Sequence, residues 1–227
     1  MPGQDVPGQD TQGRPGAIAR AACFAAAGLG PAPSDATQVD LAHASAEDPD
    51  SRVRSAALGA LGRVGNPGRA SDAWHRALVD DAPEVRRRAA EIAPTLAARA
   101  DPAPIVAALV QLLADPDVTV VDAAAWALGE LGRAAVTGDA VDALAALATG
   151  HDDVLAREAA VAALGAIGDN AALPAILAAC RDKATVRRRA VLALAPFEGD
   201  EVEAALEVAR GDRDWQVRQA ADDLTRN

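Results

Sequence analysis

The side chains with the greatest chemical potential in this sequence are one tryptophan, one aspartate and two pairs of arginines. Trp126 follows Asp122 by four residues, and the pairs are Arg87–Arg88 and Arg188–Arg189. Because four residues make about one helical turn, Asp122 and Trp126 would share a helix face. An aromatic ring, a carboxylate and cations on one surface could hold a protein partner. If they lined a narrow pocket, they could instead act on a small molecule or a base.

Metal-dependent and nucleophilic catalysis are not indicated. The three histidines, His43, His75 and His151, are scattered, and none is followed by Glu. An iron-dependent hydroxylase would need grouped histidine and carboxylate ligands. Asp152 and Asp153 next to His151 could hold a cation weakly, but capping of a helix explains them. The sequence also has no P-loop, Rossmann glycine pattern or nucleophile elbow. We therefore expect no catalytic residue, no metal and no cofactor.

The composition favours an acidic helical protein. Hydrophobic residues make up 50% of the 227 residues but aromatic residues only 2%, and the formal net charge is −11. Such a charge repels polyanions, so we expect neither nucleic-acid nor membrane binding. The two cysteines, Cys23 and Cys180, are far apart and form no disulfide framework. Free thiols suit a reducing compartment, which predicts a cytoplasmic location.

The elements that position these side chains follow from a phrase that recurs six times. Each copy starts with Val or Ala, usually followed by Arg, and has Ala four residues after the start. The copies start at Val53, Val85, Val120, Ala156, Val186 and Val217. Their spacing of 30 to 36 residues is the period of helical repeat arrays. We therefore expect an all-α fold, a right-handed α-solenoid of about six short helix pairs. An N-terminal half-repeat at residues 17–27 precedes them.

Each pair consists of a helix A followed by a helix B, and helix B carries the phrase. The B helices are predicted at Ser51–Arg63, Pro83–Ala97, Asp117–Gly132, Asp153–Ile167, Ala184–Phe197 and Trp215–Arg226. The A helices are predicted at Asp35–Ala46, Ala70–Val79, Pro104–Ala114, Asp139–Ala148, Ala171–Ala179 and Asp200–Ala209. Residues 1–16, rich in Pro, Gly, Gln and Asp, are expected to form a disordered tail. Residues 17–227 form the repeat domain.

Small and acidic residues in the phrase have structural explanations. The Ala four residues after each start is expected where two helices nearly touch, and Gly129 and Gly165 are expected to permit close packing. Aspartates before the B helices are expected to cap them. The Arg after each start could bind phosphate, but the Asp-rich turns offer a nearer partner. We therefore predict a ladder of Arg–Asp contacts between stacked units.

This pattern resembles the short HEAT-like repeats of the phycobilisome-lyase type. Asp48-Pro49-Asp50 with Val53-Arg54 and Leu61-Gly62 is the nearest copy, and Val121 replaces the Arg in another. The resemblance covers about residues 17–227 and implies a HEAT-like solenoid. Proteins of this kind include scaffolds, chromophore-lyase subunits, iron-dependent hydroxylases and alkylpurine DNA glycosylases. The resemblance therefore leaves the function open.

Positions two, three, six and ten residues after each start face away from the buried stripe and are expected to line a groove. Trp126 is distinctive there, because the other copies hold Gly, Glu, Ala, Leu or Asp at its position. It could instead pack across its small neighbours Ala123 and Ala162. The predicted partner-binding residues are Trp126, Asp122, Arg87, Arg88, Glu91, Glu130, Glu158, Arg188 and Arg189.

These observations predict a non-catalytic scaffold or adaptor that binds another protein or peptide along the groove of the B helices. One alternative is a lyase or chaperone-like subunit that handles a small molecule or chromophore. Another is a HEAT-like alkylpurine DNA glycosylase, which the acidic charge disfavours because phosphate contacts dominate DNA affinity.

Overall fold

Residues 34–225 are described by the computed structural model, and they form twelve α-helices and no strand. The helices are α1 Asp35–Glu47, α2 Ser51–Val64, α3 Pro67–Ala77, α4 Pro83–Ala97, α5 Pro102–Leu112, α6 Val118–Leu131, α7 Gly138–Gly150, α8 Val154–Ile167, α9 Leu173–Ala179, α10 Ala184–Ala193, α11 Asp200–Arg210 and α12 Trp215–Thr225. Odd-numbered helices are the A helices and even-numbered helices are the B helices, so the predicted all-α fold of six pairs is confirmed. The predicted tail at 1–16 and half-repeat at 17–27 lie outside the described residues.

The helices fall into two compact units, with the boundary between Val85 and Arg86 in the first turn of α4. In the first unit α1, α2 and α3 pack on one another. In the second unit the B helices stack in sequence, α6 on α8, α8 on α10 and α10 on α12. Each of the A helices α5, α7, α9 and α11 packs on the B helix that follows it. Packing between nearest neighbours is the arrangement of a helical solenoid.

The buried stripe of each B helix consists of small and branched apolar residues. In α6, Val120, Ala124 and Leu128 are completely buried. The Ala four residues after the start is completely buried in all six copies. The prediction that a small residue marks the close helix contact is therefore confirmed.

Replacing Ala124 by leucine tests this packing. The larger side chain has no space at a fully buried position, so we expect the free energy of unfolding to fall by about 1–3 kcal/mol. The measurement is the urea midpoint followed by circular dichroism. Ala146, exposed on α7, is the matched control, and its replacement by leucine should leave the midpoint unchanged. An unchanged midpoint for Ala124→Leu would contradict the assigned repeat register.

Arginine–aspartate pairs link successive repeats and form the predicted ladder. Each pair has two N–H···O bonds of 2.6–2.9 Å. The pairs are Arg54–Asp80, Arg86–Asp115, Arg157–Asp182 and Arg187–Asp212. Hydrogen bonds from the guanidinium groups hold the pKa of Asp115, Asp182 and Asp212 below its usual value. These arginines are thus used within the fold, which argues against the phosphate-binding interpretation.

The ladder has one gap, between α6 and α8. Val121 stands where the other copies have Arg, and it is completely buried. In the preceding repeat, Asp115 is the partner of Arg86, and His151 occupies the position equivalent to Asp115. The Nδ1 atom of His151 accepts the N–H of Asp153 at 3.0 Å, as Asp115 accepts the N–H of Asp117 in the preceding repeat. His151 thus preserves the hydrogen bond of the turn but supplies no carboxylate. Within residues 34–225, no ion pair joins α6 and α8, and Gly129 of α6 lies close to Ala163 and Ala166 of α8.

Two predicted helix ends differ from the structure by three or more residues. Helix α3 begins at Pro67 rather than Ala70, because Asn66 caps it by accepting the N–H of Gly68 at 3.0 Å. Proline is favoured at the first helical position, where its missing N–H is not needed. Helix α10 ends at Ala193 rather than Phe197. A proline three residues beyond this end disfavours helical conformation in the residue before it.

Candidate functional site

Two large apolar side chains lie exposed on adjacent B helices in the second unit. Trp126 on α6 is 48% exposed and Leu155 at the start of α8 is 61% exposed. Asp122 lies one turn before Trp126, and all three residues line the same two clefts. We call Asp122, Trp126 and Leu155 the Trp126 site.

The two clefts share the Trp126 site and differ in their charged residues. The first, the α4-side cleft, has a volume of about 600 Å³ and is also lined by Arg87 and Glu91. The second, the α10-side cleft, has a volume of about 440 Å³ and is also lined by Glu130, Glu158 and Arg189. Four successive B helices, α4 to α10, therefore supply the surface.

Seven of the nine predicted binding residues line these clefts. Arg88 and Arg188 do not. The Arg88 side chain turns to Glu91 with its Nη1 atom, and its Nε atom is buried without a hydrogen-bond partner in the described part of the chain. Arg188 is exposed on α10. Ala123 lines the first cleft and Ala162 the second, and Trp126 stays 48% exposed, so packing on these alanines does not bury its ring.

Leu155 is the site residue that the sequence reasoning missed. The predicted groove positions lie two, three, six and ten residues after the start of a copy, whereas Leu155 comes one residue before the start. The other five copies have Arg, Glu, Thr, Thr and Gln at this position, so an apolar residue there is exceptional. Asp153 caps α8 by accepting the N–H of Leu155 at 2.7 Å, which fixes this first turn.

Negative charges are in excess in the clefts. Their lining carries four carboxylates and two guanidinium groups. Both guanidinium groups face a carboxylate, since Arg87 Nε is 3.5 Å from Glu91 Oε1 and Arg189 Nη2 is 3.5 Å from Glu158 Oε1. Asp122 and Glu130 are the two remaining carboxylates, and within residues 34–225 no ion pair or hydrogen bond joins either side chain to another residue. The lining therefore attracts cations rather than anions.

Burial raises the pKa of the Asp122 carboxyl. The surrounding protein removes part of the water that would stabilise the ionised form, and no cation of the described part of the chain compensates for that loss. A perturbed carboxyl group in a cleft is typical of a functional position. It can bind a cation, or it can exchange a proton with a bound molecule.

Neither metal coordination nor a membrane span is indicated by the helices described. Within residues 34–225, no group of three or more His, Cys, Asp or Glu side chains could hold a metal ion. None of the helices in this range is long and apolar enough to cross a membrane.

Comparison with known proteins gives a family match and several similar folds. The sequence pattern of HEAT repeats matches residues 11–93 and 106–195. The complex of CpcE and CpcF of phycocyanin lyase from Nostoc is 27% identical, with 85% of this chain and 76% of that chain covered and a TM-score of 0.58.

Two further solved structures show the same fold. A designed armadillo repeat protein in complex with the peptide (KR)4 is 20% identical, with 82% of this chain and 97% of that chain covered and a TM-score of 0.62. YibA from Escherichia coli is 17% identical, with 93% and 82% covered and a TM-score of 0.66. No curated protein sequence matches this chain.

Proposed function

We propose that this chain, which belongs to the HEAT-repeat family, is a non-catalytic scaffold or adaptor that binds another protein or peptide at the Trp126 site. The observation that carries this proposal is the exposure of Trp126 and Leu155 side by side in a cleft. Exposed apolar groups surrounded by polar residues mark interaction sites. Tryptophan in particular is enriched among the residues that dominate binding energy.

The fold itself requires neither side chain. The equivalent positions in the other copies hold small, polar or different apolar residues, and those repeats form the same helices. The recurring Ala is explained by the close packing of helices, and the Asp before each helix by capping. The recurring Arg is explained by its ion pair with an Asp of the next repeat. Trp126 and Leu155 remain without such a structural explanation, which favours a role in binding.

Two similar structures support a macromolecular partner. The designed armadillo repeat protein is described in complex with a peptide, and CpcE is described in complex with CpcF. The solenoid of this chain offers the same kind of repeated helical surface.

Affinity capture from a lysate tests the proposal. The native protein, Trp126→Ala and Trp215→Ala would be used side by side. Trp215 is a matched control because it is 63% exposed and lines neither cleft. We expect a set of proteins bound by the native protein and Trp215→Ala to be lost with Trp126→Ala. Identical captured sets for all three proteins would contradict the proposal.

A lyase-type subunit that handles a small molecule or chromophore is the second candidate. It is supported by the 27% identity to the CpcE–CpcF complex and by the α4-side cleft, which joins Trp126, Asp122 and Arg87. Quenching of fluorescence by an added chromophore in the native protein, but not in Trp126→Phe, would favour this candidate. The excess of carboxylates in the clefts disfavours the DNA glycosylase alternative.

A cytoplasmic location is part of the proposal. Cys180 is a free thiol, and burial raises its pKa to about 11. Since the thiolate is the reactive form, this cysteine is inert to exchange at neutral pH. An unpaired, unreactive thiol is compatible with a reducing compartment.

A further inference from the structure

We infer that the Trp126 site takes a peptide segment in which a Lys or Arg side chain lies beside an apolar side chain. The cation would pair with Asp122, and the apolar group would cover Trp126 and Leu155. This inference rests on the proposed function and specifies the chemistry of its partner.

The charges in the clefts select a cationic segment. Arg87 and Arg189 already face Glu91 and Glu158, whereas Asp122 and Glu130 have no such partner among the described side chains. Of these two carboxylates, only Asp122 lines both clefts. An incoming cation would pair with Asp122 without displacing an existing contact. An acidic segment would meet the excess of carboxylates and would be repelled.

Asp122 and Trp126 can act on the same cation. Side chains four residues apart on a helix have Cβ atoms about 5–6 Å from each other. A cation bound to the Asp122 carboxylate is therefore within reach of the Trp126 ring, and a cation over such a ring is attracted at distances up to about 6 Å. Leu155 lines both clefts next to these two residues, so it can contact the apolar side chain that follows the cation.

The burial of Asp122 links its ionisation to the binding of a cation. Burial raises the pKa of its carboxyl, so the ionised form is disfavoured while the site is empty. A bound cation favours the ionised form, and binding at low pH must therefore release a proton. We expect the affinity to increase as pH rises through the raised pKa of Asp122 and to level off above it.

Other titratable groups face the same clefts. They are Glu91 on α4, Glu130 on α6 and Glu158 on α8, with the cations Arg87 and Arg189. Any pH dependence from these groups is common to the native protein and Asp122→Asn, so the contribution of Asp122 is the difference between the pH profiles of the two proteins.

Binding of defined peptides to the full chain tests the inference. The probes are a labelled peptide of four Lys-Leu repeats, one of four Glu-Leu repeats and one of four Lys-Ser repeats, measured by fluorescence anisotropy. We expect the Lys-Leu peptide to bind, the Glu-Leu peptide not to bind, and the Lys-Ser peptide to bind about tenfold more weakly. Binding of the Glu-Leu peptide, or equal binding of the Lys-Leu and Lys-Ser peptides, would overturn the inference.

Matched variants separate the site from the general acidity of the protein. Asp122→Asn and Trp126→Ala should each weaken binding of the Lys-Leu peptide about tenfold or more. Asp142→Asn removes an exposed carboxylate on α7 that lines neither cleft, so it should bind like the native protein. Equal affinity of Asp122→Asn and Asp142→Asn would show non-specific attraction and overturn the inference.

The urea midpoint of unfolding shows whether the Asp122→Asn variant is folded. Because burial disfavours the ionised form of Asp122, its charge at neutral pH costs the folded state stability. Asp122→Asn should therefore unfold at the same urea concentration as the native protein or a higher one. If affinity capture depends on Trp126 but the Lys-Leu peptide does not bind, the inference fails while the proposed function stands. If neither shows a dependence on Trp126, both fail.

Discussion

Replacing Arg187 by alanine is expected to lower the free energy of unfolding by about 3–5 kcal/mol, the usual effect of breaking a buried ion pair. Arg187 is only 8% exposed. Its Nε and Nη2 atoms donate to Asp212 at 2.8 and 2.7 Å, and its Nη1 atom donates to the carbonyl of Asp182 at 2.8 Å. The variant removes both guanidinium donors from the Asp212 carboxylate, which keeps the N–H of Asp214 at 2.8 Å, and it removes the side-chain donor of this carbonyl. Urea unfolding followed by circular dichroism measures the loss.

The control for this experiment is an exposed pair of the same chemistry. Arg52 pairs with Asp50 while its side chain remains 85% exposed. Because solvent screens such a pair, Arg52→Ala should leave the unfolding midpoint unchanged. If Arg187→Ala and Arg52→Ala had the same effect, the ladder would not contribute to stability.

The effect of Arg187→Ala should depend on pH in a defined direction. The hydrogen bond from Arg187 holds the pKa of Asp212 below its ordinary value of 3.8. A carboxyl group with a lowered pKa in the folded state contributes stability above its unfolded pKa and loses it as pH falls through the folded pKa. The difference between the native protein and Arg187→Ala should therefore be full at neutral pH and shrink below pH 3.8.

Gly165→Ala is expected to lower the free energy of unfolding by about 1–3 kcal/mol, although alanine is the better helix former. A Cβ atom at Gly165 would lie 2.6 Å from the Cβ and 2.7 Å from the Cα of Ala193 on α10. The backbone of α10 would have to move, because no flexible side chain can give way. Alanine gains about 1 kcal/mol of helix propensity over glycine, which is less than the cost of the clash.

Two further glycines provide a graded control. A Cβ atom at Gly129 would lie 3.2 Å from the Cα of Ala163, while one at Gly150 would meet nothing within 4 Å. We expect Gly150→Ala to preserve or raise the urea midpoint. The midpoint of Gly129→Ala should lie between those of Gly165→Ala and Gly150→Ala. A midpoint for Gly165→Ala at or above that of Gly150→Ala would contradict the close approach of α8 and α10.

Local signals in the sequence predict most of the helices. Asp50, Asp117 and Asp153 cap the helices that follow them, as their positions before each copy of the phrase indicate. Capping depends on residues two or three positions apart, so it can be read without knowledge of the fold. The end of α10 differs from the prediction, because Pro196, three residues beyond Ala193, disfavours helical conformation in the residue before it.

The candidate site was predicted only in part. Trp126 was singled out because it breaks the repeat, and the same criterion applied one residue before each start would have found Leu155. Arg88 was expected to face the groove, but it turns to Glu91, since the conformation of a long side chain is set by its neighbours. The sequence shows that Val121 replaces the Arg of the ladder. The structure shows in addition that His151 occupies the position of the partner carboxylate, so neither member of an ion pair is present there.

By itself, the sequence determined the repeat, the helices, their caps and the residues that break the pattern. These features depend on contacts within one helical turn or on a period that repeats along the chain. Only the tertiary structure decided that Asp122 and Trp126 of α6 share clefts with Leu155 of α8 and Glu91 of α4. It also decided that Asp122 has no counter-charge among residues 34–225. The physical reason is that helix packing brings together residues that are 29 to 35 positions apart in the sequence, and desolvation of a carboxyl group depends on all of them at once.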